Sequence, residues 1–329
     1  GAFLERTGIS NFFIDLANCI AGRFAGGPAK VSVISSALCG MVSGSSVGNT
    51  VTTGSVTIPM MKKTGYKPEF AGAVEATSST GGQIMPPIMG AAAFLMADFV
   101  GVPYSSIIGR AILPAILYFA GIFISVHLEA KKLDLHGMPK EQLPKAKKLV
   151  KKIYLLLPLV MLVVWVSGNF MTMQKAASLA IVLTVVVSLF NKDNRITPGK
   201  ILEALEAGGK SAITVGAACG VAGIISGTIT MTGLANDIIN AIVSVAGDRL
   251  IIALILTMLC CIVLGMGVPT TANYCIMAAT TAPILIRMGV PVMAAHFFVF
   301  YFGIVADITP PVALAAYAGS AIAKSNPMK

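Results

Sequence analysis

Charge is what this sequence has least of. Only 12% of its 329 residues are Asp, Glu, Lys or Arg, while 56% are hydrophobic and the mean hydropathy is +0.83. So few charged side chains do not cover a soluble globule of this size, which excludes that class and leaves an integral membrane protein. The six cysteines (Cys19, Cys39, Cys219, Cys260, Cys261 and Cys275) sit in apolar surroundings without metal-ligand spacing, which speaks against zinc or redox chemistry and leaves them as free packing residues. His127, His136 and His296 are scattered, and no nucleophile elbow, phosphate loop or metalloprotease helix is present. An enzyme is therefore not expected, nor is a cofactor or a transition metal. Gly1 is not followed by the charged stretch, short apolar core and cleavage site of a signal peptide, and the missing initiator Met reads as a fragment of a longer chain.

Long apolar runs are abundant. Segments of about 17 to 25 residues, the length that spans a bilayer, recur from end to end, and no tract carries a polar surface of its own. Residues 1–329 therefore read as a single membrane domain, all-α and polytopic, with Trp165, the other aromatics and the methionines as lipid-facing or packing side chains.

The chain also repeats itself. "TGISNFFIDLANCIAGRF" from Thr7 returns as "TGLANDIINAIVSVAGDR" from Thr232, an offset of 225. Further on the offset settles at 224 and pairs Asn49 with Asn273, Pro59 with Pro283, Lys63 with Arg287, Gly65 with Gly289, and Pro86–Pro87 with Pro310–Pro311. An ordered series over about 80 residues points to duplication. Repeat one covers 7–100, connecting scaffold spans 105–210, and repeat two 211–325. Within each repeat two apolar tracts, 31–48 and 51–61 or 250–266 and 275–286, flank a small polar turn, "SGSSVGN" or "GVPTTAN". The second tract is too short to cross, which predicts two re-entrant helical hairpins.

Between the repeats, apolar tracts near 68–100, 105–128, 153–170, 176–190 and 211–232 give five crossings, an odd number, so the second copy is predicted to be inverted. Charge tests this separately: 20 of the 24 Lys and Arg fall on the side of the first hairpin's base, with only Arg110, Lys175, Arg249 and Arg287 elsewhere. The same asymmetry accounts for the net charge of +10 without nucleic acid, since the basic run "KKLDLHGMPKEQLPKAKKLVKK" suits a cytoplasmic connector beside anionic lipid of the bilayer.

The stretch "STGGQIMPPIMGAAA" interrupts its span with glycines, a glutamine and two prolines. Non-helical chain at membrane depth survives only where protein buries it or it lines a watered cavity, so both hairpin tips and both proline breaks mark a site. Proline removes a donor and frees a carbonyl one turn earlier, and glycine is expected to let the chain unwind. Carbonyls and hydroxyls so freed suit a dehydrated alkali cation, while the half-helices starting at the breaks offer positive N-termini to an anion. The candidates are Ser45, Ser46, Asn49 and Thr50 at the first tip, with Ser79, Thr80, Gly81, Gly82 and Gln83 at the first break. Their counterparts are Thr270, Thr271 and Asn273, with Ala306, Asp307 and Thr309; Pro86, Pro87, Pro310 and Pro311 make the breaks. Asp307 and Glu75 are the acids placed at membrane depth, Asp307 for a cation or the unwound backbone, Glu75 for a cavity or for packing. The bland alternative is that small hydroxyl residues merely let helices approach closely.

The motifs "GAFLERTGIS", "SGSSVGNT", "SSTGGQIMPP", "GMGVPTTANY" and "FYFGIVADITPPVALAA" resemble the large membrane subunit of tripartite ATP-independent periplasmic (TRAP) transporters, in particular the fused permease that works with a TAXI-class receptor. The resemblance implies a multi-pass protein of the bacterial or archaeal cytoplasmic (inner) membrane, an elevator-type secondary transporter. It also implies a periplasmic solute-binding protein delivering a small organic anion such as a carboxylate, sodium ions at the tips and breaks, and a small membrane subunit, fused or separate. Two other readings stand beside it: an ion or solute channel, which also uses re-entrant loops, and an intramembrane aspartyl protease, for which Asp307 lacks a convincing second Asp.

Overall fold

The computed structural model describes the whole chain except residues 140, 142, 169, 192, 193, 248 and 329, and leaves out the side chains of 148 and 235. Of the basic residues counted above, Lys140, Lys192 and Lys329 lie outside the described residues. Every regular element among the described residues is helical.

Local chemistry sets the boundaries. Gly26, in the left-handed region, and Pro28 open the helix Gly27–Ser43, and Gly44 (φ 65°) closes it. Ser45 then caps the next helix, Ser46–Lys63, by accepting from the backbone N–H of Gly48 at 3.1 Å. The turn between these helices is thus only Gly44 and Ser45. The second arm is longer than the 51–61 tract suggests, because the capping serine draws the polar residues 46–50 into the helix. The corresponding second pair is Leu250–Gly265 and Thr270–Thr280, the latter followed by Ala282–Arg287.

Among the described residues two helices are long and apolar enough to cross a membrane, Tyr104–Lys132 and Pro198–Met231. At 29 and 34 residues they run about 44 and 51 Å, against a hydrocarbon core of about 30 Å. The second begins 13 residues before the predicted 211–232 tract, because "PGKILEALEAGGK" is polar yet made mostly of good helix formers, with a Lys210–Glu206 pair at 2.5 Å. Leu113, Leu117, Ile124, Ile213, Val221 and Ile224 on these helices stay exposed, a surface that suits lipid.

The chain forms two compact units that cut across the repeats. One holds Gly1–Met89, Tyr104–Lys210 and Ala315–Lys329; the other holds Gly90–Pro103 and Ser211–Leu314. The half-helix after each break therefore packs with the other copy. In the second unit Phe99 of Ala91–Val100 sets its ring 6.0 Å from Tyr274. In the first unit Ala323, at the end of Leu314–Ala323, joins the core of Ala29, Val33, Ile58, Met61, Tyr66 and Val126, and its carbonyl accepts from Lys62 Nζ at 2.7 Å. Gly319 meets Gly72 backbone to backbone: a Cβ on Gly319 would lie 2.7 Å from the Gly72 carbonyl oxygen.

Candidate functional site

Backbone features recur at the offset found in the sequence. Gly8 and Gly233 have φ of 77° and 78°, Gly65 and Gly289 of 104° and 86°, and the non-glycine residues Met89 and Ala313 of 59° and 39°. The helix Pro68–Gly81 ends in a 3₁₀ turn, Gly82–Ile84, and Val292–Val305 ends in another, Ala306–Ile308. Both Pro–Pro bonds are cis.

The first break lies later than the glycines. Gly81 (φ −60°, ψ −24°) and Gly82 (φ −56°, ψ −28°) are helical, and the chain turns extended only at Met85 (ψ 114°), the residue that Pro86 bars from the helical region. Gly81 and Gly82 therefore do not unwind the chain; they make room. A Cβ on Gly82 would stand 2.5 Å from the Cα of Gly40, and one on Gly81 would run into the Tyr118 ring. The Tyr104 hydroxyl donates to the freed carbonyl of Ile88, so part of the broken segment is satisfied by side chain.

At the first tip Asn49 is buried. Its Nδ2 donates to the Ser36 carbonyl at 2.9 Å and to Ser79 Oγ at 3.1 Å, tying tip to break, while its Oδ1 is buried with no hydrogen-bond partner. Thr50 and Thr80 return their hydroxyls to the helix carbonyls of Ser46 and Ala76. Ser46, Ser79, Thr80 and Gln83 are buried beside them, whereas Ser45 is exposed and engaged as the helix cap. The structure thus brings Asn49 and Ser79 into contact and leaves Ser45 at the rim.

The second tip follows the same plan with different groups. Asn273 is buried, its Nδ2 donates to the Gly303 carbonyl at 3.2 Å, and its Oδ1 again has no hydrogen-bond partner. Gly265 makes the close approach: a Cβ there would stand 2.6 Å from that of Ala306 and press on the Asn273 amide. Asp307, 6% exposed, accepts from Thr270 Oγ1 at 3.1 Å, so tip and break are joined through an acid. Thr309, where the chain turns extended before Pro310, bonds the Val305 carbonyl, and Thr271 is half-buried.

Glu75 is wholly buried and ringed by hydroxyls from three helices. Ser32 and Ser36 donate to it at 2.6 Å each, Thr57 at 2.6 Å, Ser79 at 3.0 Å, and Thr53 by a shorter contact. Sequence reading missed Ser32, Ser36, Thr53 and Thr57. The signal was present: Ser32/Ser36, Thr53/Thr57 and Glu75/Ser79 are all i, i+4 pairs, each a polar stripe on one helix face. Five hydroxyl donors suit an acceptor-only carboxylate, and no ion pair among the described residues reaches it.

Long helices with exposed apolar faces, and broken helices with buried polar interiors, are what a polytopic helical membrane protein requires. Residues 1–329 match the family described as Tripartite ATP-independent periplasmic transporter, DctM component, and the chain belongs to that family. The chain is 25% identical to the C4-dicarboxylate TRAP transporter large permease protein DctM of Pseudomonas aeruginosa, over 98% of this chain and 75% of the relative. The protein of the same description from Vibrio cholerae is 26% identical, over 99% and 76%. The isethionate TRAP transporter permease protein DctMQ of Oleidesulfovibrio alaskensis is 24% identical, over 99% of this chain but only 51% of the relative. The family consists of transporters, which sets the protease reading aside.

Proposed function

We propose that this chain is the transport subunit of a sodium-coupled importer of a small organic anion, a carboxylate, in the cytoplasmic (inner) membrane. A periplasmic receptor, TAXI-class by motif resemblance, delivers the anion, and a small membrane subunit completes the transporter. The repeats are inverted, their helix pairs are re-entrant hairpins, and the moving part travels as an elevator. The observation that carries the reading is the pair Asn49 and Asn273. Each buries an amide whose Nδ2 is spent on the helix that leads into its break, at Ser79 or Gly303, and whose Oδ1 is left without a hydrogen donor. A buried unpaired acceptor is costly, and a dehydrated alkali cation is the ligand such a hard oxygen takes. Backbone carbonyls of residues 79–83 at the first break, and Thr270 at the second tip with Asp307 and Thr309 at the second break, supply neighbouring oxygens. The half-helices that follow the breaks, Ala91–Val100 and Leu314–Ala323, each offer a positive N-terminal end suited to an anion. The names of the relatives mention C4-dicarboxylate, a carboxylate, and isethionate, a sulfonate, both small organic anions.

The test is uptake by the complete permease in vesicles, with sodium imposed on one side and the receptor present or withheld. Uptake that needs both supports the reading. Uptake that persists without either, or a flux far above carrier turnover, refutes it and favours a channel.

A further inference from the structure

The carboxylate of Glu75 and the amide of Asn49 are joined by one side chain. Ser79 Oγ has a single hydrogen, which it donates to Glu75 Oε1 at 3.0 Å. Its lone pair is then what accepts from Asn49 Nδ2 at 3.1 Å. Because a carboxylate only accepts, the polarity of this chain runs one way: amide to hydroxyl to acid. It spends the nitrogen of Asn49 on Ser79 and leaves Oδ1 without a hydrogen-bond partner.

Ser36 adds a second strand to the same link. Its carbonyl takes the other Nδ2 contact at 2.9 Å, while its hydroxyl donates to Glu75 at 2.6 Å. Thr53 Oγ1 lies within reach of both Glu75 and the backbone carbonyl of Asn49, 2.7 Å from the latter, and its one hydrogen serves one of them at a time. Three of the five residues whose hydroxyls surround Glu75, namely Ser36, Thr53 and Ser79, therefore also touch Asn49.

Copy two lacks the device. With the offset of 225 on the first arm, which superposes Gly40 on Gly265, Ser32 and Ser36 become Thr257 and Cys261. With 224 beyond the turn, Thr53, Thr57, Glu75 and Ser79 become Met277, Thr281, Val299 and Gly303. Val299 and Met277 are wholly buried, Thr257 Oγ1 is a buried hydroxyl without a partner, and Cys261 keeps only a 3.5 Å contact to Thr281. Asn273 is oriented by a backbone carbonyl instead, and the acid of that site, Asp307, stands at the break itself.

We infer that Glu75 is the positioning residue of the first tip: through Ser79 and Ser36 it fixes the direction of Asn49 and places a negative charge behind the oxygen that meets the cation. This rests on the sodium reading above. The charge acts on the first site alone, so the two tips differ in what gives them cation preference, an acid one residue removed in copy one and an acid at the break in copy two.

The experiment is a sodium titration of thermal unfolding on the complete permease complex, comparing wild type with Glu75→Gln, Glu75→Asp, Asn49→Ala, Asn273→Ala and the double variants. Sodium should raise the unfolding temperature of the wild type. In E75Q the sodium concentration for half effect should rise on the order of tenfold, within the usual range for coupled groups, and E75D should recover part of it because it keeps the charge. E75Q should add nothing to Asn49→Ala and should add fully to Asn273→Ala. A lower unfolding temperature in E75Q with an unchanged sodium midpoint would make Glu75 a packing residue and overturn the inference. So would additivity with Asn49→Ala. If E75D or E75Q does not fold, Ser79→Ala, which cuts the relay and keeps the acid, must reproduce the midpoint shift or the inference falls. Absence of any sodium effect in the wild type would remove the sodium reading itself, a failure distinct from the other two.

Discussion

Around the hairpins the two copies keep the same skeleton and fill it differently. In copy one the space between the arms and the following helix holds an acid and five hydroxyls; in copy two the corresponding positions carry Val299, Met277 and Gly303 with a few stranded polar groups. What both keep is narrower: a buried Asn near the start of the second arm, a glycine on the first arm where the break crosses it, and a 3₁₀ turn leading into two prolines. The shared part is what a tip and a break require mechanically, and the unshared part is where each copy has placed its charge.

The largest effect expected is on transport. Replacing Pro86 and Pro87 together by Ala restores two backbone donors and permits helix to run on past Met85. Receptor-dependent uptake should drop to background while the unfolding temperature holds, and the same change at Pro310 and Pro311 should do likewise. Normal uptake in either double variant would reduce that break to a tolerated kink.

Moving the acid between copies gives the next effect. Val299→Glu puts a carboxyl into a fully buried position without the hydroxyl ring and should cost about 3–5 kcal/mol, the scale of an uncompensated buried charge. Denaturant or thermal unfolding reads it. A mild loss would mean that copy two can also solvate an acid at this position, and the contrast between copies would weaken.

Glycines sharpen the comparison on a smaller scale. Gly40→Ala or Gly82→Ala forces a methyl against the facing backbone and should cost about 1–3 kcal/mol by overpacking. Gly209→Ala, on the exposed face of Pro198–Met231 with nothing within 4 Å of the added methyl, should instead stabilise by about 0.5–1 kcal/mol. Equal effects at the two kinds of site would mean that close approach is not what the hairpin glycines serve.

Much of this was legible from residues. Composition gave the solvent, and the double prolines marked the breaks because a missing donor and a barred conformation are intrinsic to proline. Asn49 and Asn273 stood out through the offset. What was not legible depended on packing between segments. "GGQIMPP" does not say whether its glycines bend the chain or admit a neighbour; Gly82 keeps a helical backbone, and it is the approach of Gly40 that leaves no room for a side chain there. Ser32, Ser36, Thr53 and Thr57 look like the small residues any membrane helix uses for contact, and only the fold aims all four at Glu75. The exchange of half-helices between units likewise leaves no local mark in Ala91–Val100 or Leu314–Ala323.

The central claim is that each tip asparagine holds one sodium ion. Equilibrium sodium binding to the purified complete permease, measured for the wild type, Asn49→Ala, Asn273→Ala and the double variant, tests it most directly. Each single variant should lose one of two binding components and keep the other, and the double variant should lose both, with all four proteins folded. Undiminished sodium binding in the double variant would show that these amides only cap their loops, and the account of the two tips would be wrong.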